Sequence, residues 1–276
     1  MRSPRSSTGR LPRIHGKPPR GTSRYLVLAA GEDDLSCVDL STGALVRLRH
    51  RQAALRASSA ATAGGSTDRL SGLGGEHAGS PLDSPGSDGY GDEVGGLHED
   101  PGSHLVRPVE PLCVVEARLC DDPEQDDLAQ PEAFSIDAPP RTVGRMGRRR
   151  TRQILHRVAA PRTSHLLGFP GVSAPYWEFR GMHPSVAVVS PPLGPMLFRR
   201  PGDGAVWARF GWPRSDNWLP VEDQRAIAVF SGPRTRMSAK ELSEALGFRP
   251  HYLVITLSSP RDGYCYKTLA AILGRP

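Results

Sequence analysis

The sequence predicts an α+β fold: a mostly antiparallel sheet with two or three short helices, a disordered N-terminal tail and a long disordered insertion. Three observations lead there. Apolar segments of strand length recur along the chain, such as "YLVLAA", "VAVVS" and "HYLVITLSS", with turn residues between them. Helical signals are few and do not alternate regularly with the strands, which disfavours a parallel βαβ architecture. Residues 51–104 contain 12 glycines, 8 serines, no lysine and few large apolar groups. Such a stretch cannot bury enough surface to offset its ordering entropy.

Taken in order, residues 1–23 read as a disordered basic tail. Strand character begins abruptly near Tyr25. "RYLVLAA", "SCVDL" and "ALVRLRH", with "STG" as a turn, predict two or three strands of an antiparallel meander over 25–49. So short a sheet is not stable alone. The insertion 51–104 therefore interrupts a single domain spanning 25–276 rather than dividing two. A strand resumes at "PLCVVEARL" (111–119), and "DDPEQDDLAQPEA" (121–133) reads as an acidic loop. "RMGRRRTRQILHRV" (145–158) predicts a basic amphipathic helix. "MLFRR" and "AVWARFGW", joined by "PGDG", predict a hairpin, followed by a loop over 211–220. "AIAVFS" (226–231) reads as a strand. "SAKELSEALG" is the clearest helix, with Ser238 as N-cap, Glu241 completing a capping box and Gly247 ending it. "HYLVITLSS" (251–259) reads as a buried strand and "GYCYKTLAAILG" (263–274) as a short C-terminal helix.

Charge is strongly segregated. The net +6 combines a basic tail of seven bases without acids over 1–24, an acidic stretch of 7 bases and 21 acids over 25–140, and eight arginines without acids over 141–162. Of the 35 basic residues all but Lys17, Lys240 and Lys267 are arginine. With abundant Ala, Gly and Pro, that is the composition a GC-rich genome writes into any protein. An arginine cluster is therefore informative here only when its geometry is informative. No apolar run approaches the ~20 residues of a membrane span, and "MRSPRSSTGRLPRIHGKPPRG" has no apolar core of a secretory signal. Four scattered cysteines form no C-x-x-C pair; reduced thiols in a cytoplasmic protein are expected.

The arginine segment carries the strongest functional signal. At 100° per residue, Arg145, Arg148, Arg149 and Arg152 fall on one helical face, while Thr151, Ile154, Leu155 and Val158 form another. A helix from about 148 to 159 can dock its apolar stripe on a sheet and present guanidinium groups to water. Guanidinium forks match phosphate oxygens, and phosphate contacts dominate nucleic-acid affinity. The expectation is a non-catalytic protein that associates non-specifically with DNA or RNA. Trp207, Trp212 and Trp218, lying near Arg209 and Arg214, are candidates for stacking on unpaired bases.

Two short motifs resemble known elements. "VDLSTGALVRL" is similar to the D-x-x-T-G hairpins of β-propeller blades, but it does not recur, which rules out a propeller. "SAKELSEALGF" resembles the first half of a helix-turn-helix, yet the recognition helix would have to be "RPHYLVITL", whose residues favour a strand.

Two other function classes stay open. An enzyme would place its pocket in the aromatic region 169–218, with Cys265 or Ser173 as nucleophile and His165, His183 or His251 assisting. "GVSAP" (171–175) only begins like a nucleophile elbow. An interaction module would use the acidic insertion 51–104 to dock a protein partner. No phosphate-binding glycine loop, dinucleotide fingerprint or zinc motif is present, and the acid clusters "GEDD" (31–34) and "DDPEQDD" lack a metal-ligand spacing. No cofactor, metal or catalytic residue is assigned.

Overall fold

The computed structural model describes residues 21–31, 34–50, 109–120, 127–162, 165–181, 183–213 and 215–276. The tail 1–20, the stretch 51–108, the first six residues of the acidic loop (121–126) and Arg214 lie outside these residues, and so do the readings made on them.

The N-terminal half forms a six-stranded sheet in the order β5-β3-β2-β1-β4-β6. The predicted meander is present as β1 (Ser23–Ala30), β2 (Asp34–Asp39) and β3 (Leu45–His50), paired antiparallel in sequence. The β2–β3 turn is the "DLSTG" signal in three dimensions. The Asp39 carboxylate accepts from the Ser41 amide and hydroxyl at 2.7 Å, and Gly43 supplies the φ of 77° that closes the turn. The predicted strand at 111–119 is β4 (Cys113–Ala117), which pairs with β1. β5 (Ala133–Ile136) runs parallel to β3, and β6 (Arg141–Arg145) runs antiparallel to β4. Beyond β4, Leu119 bridges Ile136 and the Cys120 amide bonds Ser135. β5 and β6 are thus one strand bent at Asp137–Pro140, and β1-β2-β3-β5-β4 closes into a small barrel. Tyr25, Val27, Cys37, Val46, Leu48, Val115, Ala117 and Ile136 form one buried cluster inside it.

A second sheet, ordered β7-β14-β13-β8, lies against the outside of this barrel. It consists of β7 (Ser173–Pro175), β8 (Val186–Val189), β13 (Pro250–Leu257) and β14 (Tyr264–Gly274), all antiparallel. Its residues divide by alternation. Val186, Val188, Tyr252 and Val254 pack with Leu26, Leu28, Val38 and Val114 of the barrel. Ala187, Val189, Leu253, Ile255 and Leu257 pack the other way. There they meet a third sheet, β11-β10-β9-β12, made of β9 (Met196–Arg199), β10 (Val206–Trp212), β11 (Ser215–Pro220) and β12 (Arg236–Met237). The middle sheet is therefore buried on both faces, the situation in which strands read as unbroken apolar runs.

Three α-helices are present among the described residues: α1 (Arg148–Val158), α2 (Gln224–Val229) and α3 (Ala239–Leu246). None is long and apolar enough to cross a membrane. α3 is the helix that the capping box foretells. The Ser238 hydroxyl accepts from the Glu241 amide, the Glu241 carboxylate accepts from the Ser238 amide, and Gly247 ends the helix at φ 73°.

Several expectations are corrected. "AIAVFS" is not a strand but helix α2: Asp223 caps it by accepting from the Arg225 amide, a signal overlooked beside an apolar run of ambiguous period. "GYCYKTLAAILG" is not a helix but β14, eleven residues long, because pairing along β13 overrides the helix propensity of Leu269, Ala270 and Ala271. A bulge that skips Ala270 in this pairing also breaks the two-residue period. Residues 215–220 are strand β11 rather than loop. The acidic loop 121–133 ends at Glu132, since Ala133 already belongs to β5. Arg145 belongs to β6, so the helix does not span 145–158 but begins at Arg148.

A buried polar network ties barrel to middle sheet. Arg47 on β3, 5% exposed, bonds the carboxylate of Asp34 and, at 2.6 Å, the carbonyl of Leu257 at the end of β13. Arg49 bonds Gln130, lies 3.5 Å from the Asp127 carboxylate, and reaches Ser259 at 3.3 Å. Gln130 also donates to Leu257 at 3.1 Å. The outer face of β2 and β3 is covered by the middle sheet: Ser36, Val38 and Arg47 are buried there.

Candidate nucleic-acid interface

α1 shows the two-faced character expected of it. Thr151 and Leu155 are buried, and Ile154 and Val158 pack with Leu155 against Val143, Met146 and Val188. Full burial of a leucine contributes about 1.5–3 kcal/mol, enough to hold so short a helix in place. Its exit is tied to the middle sheet: Ala159 bridges Val188, and the Ala160 amide donates to the Val188 carbonyl at 2.7 Å.

The opposite face carries Arg148, Arg149, Arg150, Arg152 and Arg157, all exposed. None of the five lies within ion-pair distance of a carboxylate among the described residues. The helix start is electrostatically unrelieved: its first turn holds three arginines and no acid, and Gly147 offers no capping side chain. Positive charge at a helix N-terminus adds to the positive end of the dipole, which favours an anion there.

Arg145 does not join this face. It pairs across the sheet with Cys113 and forms an ion pair with Glu110. Arg141 is likewise engaged, 2.5 Å from Glu116, whose other oxygen lies 2.9 Å from Arg24. Burial raises the Glu116 pKa, but hydrogen bonds from Arg141 and Arg24 outweigh it and hold the carboxyl below its ordinary range. Of the acidic segment 121–127 only Asp127 is described, and it faces Arg49 rather than α1.

The three tryptophans separate. Trp212 is 4% exposed and belongs to the core between the second and third sheets, with Arg162 6.0 Å from its ring. It walls an open cavity of about 480 Å³ with Arg162, Pro192, Gly211, Pro213, Ser215 and Asp216. Trp207 and Trp218 lie on the outer face of the third sheet, with Arg200 5.8 Å and Arg209 5.4 Å from their rings. The indole N–H of Trp207 is buried without an acceptor. Comparison with known families, characterised proteins and solved structures finds no match for this chain.

Among the described residues no hydrogen bond joins Cys265 or Ser173 to His165, His183 or His251. Ser173 sits in β7 opposite Tyr266. Cys265 is a fully buried strand residue rather than a helix-start thiol, and burial, helped by Asp127, pushes it up to about 12. His183 packs edge-on against Phe169 and Phe179, whereas His251 packs against Tyr252. Among the described residues no three His, Cys, Asp or Glu side chains converge on a metal-sized site. The helix-turn-helix resemblance ends at α3, because the next element is β13.

Sequence reasoning missed Lys267. It is 1% exposed on β14, and its ammonium donates to the carbonyls of Phe169 at 2.5 Å and Gly171 at 2.8 Å. The available signal was its rarity, a lysine inside an apolar run of a chain that almost always uses arginine.

Proposed function

We propose that this protein associates with nucleic acid, DNA or RNA without sequence preference, through phosphate contacts from the exposed face of α1. The observation that carries this reading is that Arg148, Arg149 and Arg152 stand on one helical face, exposed and without a carboxylate partner among the described residues. Arg150 and Arg157 flank them. Guanidinium groups held on a docked helix are positioned for bidentate phosphate contacts, and release of condensed counterions makes such binding steeply salt-dependent. Specific base reading is not part of the proposal, which rests on phosphate contacts alone. A cytoplasmic setting accords with cysteines that form no disulfide.

The test is fluorescence anisotropy with labelled duplex DNA and RNA at low and physiological salt. Wild type should bind at low salt and release as salt rises, and Arg148→Glu/Arg149→Glu/Arg152→Glu should not bind. Absence of binding by the wild-type protein at low salt refutes the reading.

A further inference from the structure

We propose that the outer face of the β9–β12 sheet is a stacking platform for the bases of single-stranded nucleic acid, a second site that gives the association above its preferred substrate class. Cross-strand register sets two rows on this face. One runs Pro220, Trp207, Phe198, Arg236 across the four strands; the next runs Trp218, Arg209, Met196. The alternate residues Leu197, Ala208, Phe210, Leu219 and Met237 point the other way into the core.

An arginine stands against each of the outward rings. Arg209 lies 5.4 Å from the Trp218 ring, Arg236 5.7 Å from Phe198 and Arg200 5.8 Å from Trp207. The Trp218 and Phe198 rings meet at 4.9 Å, and Trp218 remains 39% exposed. Carboxylates here are Asp216, which accepts from Arg209 at 2.5 Å, and Asp203, 3.7 Å from Arg200. Arg236 forms no ion pair among the described residues, although the Glu241 carboxylate feels its charge.

Charge and shape together select the occupant. A flat, aromatic sheet face with arginines beside each ring matches a strand whose base faces are bare and whose phosphates need cations. A duplex hides its base faces and would gain only the charge.

The experiment uses the full chain with an oligothymidylate and with a duplex of equal length. Oligothymidylate should quench the tryptophan emission of wild type. Trp218→Ala should lose about tenfold in affinity for the single strand, keep duplex affinity within about twofold, and show a wild-type melting profile; Trp218→Phe should recover most of the loss. Arg236→Gln, at an exposed rim position, should weaken the single strand more than the duplex. Unchanged oligothymidylate affinity in Trp218→Ala, or an equal loss for both ligands, overturns the proposal. These outcomes are separable from failure of the α1 reading, which is seen as undiminished duplex binding by the triple glutamate variant.

Discussion

The ammonium of Lys267 lies 3.7 Å from the ring centroid of Phe169 and donates to that residue's carbonyl at 2.5 Å. No carboxylate shares the site among the described residues. The charge is instead held by two carbonyls and an aromatic face, which clamp residues 169–171 to β14. Burial brings this ammonium down from 10.5 to about 8.

A pH dependence follows from the sign of that shift. Below about 8 both folded and unfolded chains hold the proton, above 10.5 neither does, and between these values only the unfolded chain does. Stability contributed by Lys267 therefore rises with pH across this window, by about 3 kcal/mol. Because the raised thiols of Cys37, Cys113 and Cys265 pull stability down over the same range, the effect is read as a difference: in urea unfolding at several pH values, wild type should gain stability relative to Lys267→Met across this window. Parallel curves for the two proteins contradict the assignment.

Cysteine reactivity tests the covalent-enzyme alternative. Burial pushes the thiols of Cys37 and Cys113 up, and that of Cys265 to about 12. Near neutral pH these three should resist iodoacetamide in the native protein and react after unfolding, as read by mass spectrometry of peptides. Rapid native labelling of Cys265 would restore it as a nucleophile.

Arg149→Glu should move stability and binding in opposite directions. A negative charge in the first turn of α1 complements the helix dipole and stabilises by about 0.3–1 kcal/mol. The same change removes a phosphate contact, so the slope of log affinity against log salt should fall by about 1 or more. Thermal melts and salt titrations on one protein preparation report both. A variant that is less stable and binds as well as wild type argues against the exposed-face reading.

Ser238→Ala should cost about 1 kcal/mol, because it leaves the Glu241 amide without its capping acceptor. Denaturant midpoints measure the loss. Since α3 packs Leu242 into the core, the loss should appear in global unfolding rather than as local fraying alone.

What the sequence determined by itself was local. The capping box of α3, the "DLSTG" turn, the β9–β10 hairpin and the apolar stripe of α1 were legible because each is decided by residues within one or two turns of one another. The candidate face on α1 was legible for the same reason, as a matter of helical spacing. Tertiary structure decided whatever depended on distant partners. β14 is a strand because β13 lies beside it and both faces are covered, a condition that erases the period-two signal. Arg145 left the helical face because β4, far off in sequence, pairs with it on β6, where its guanidinium meets Glu110. Trp218 and Trp212 look alike in the chain, but strand register turns one ring outward and the other into the core, and only that orientation makes one of them available to a ligand.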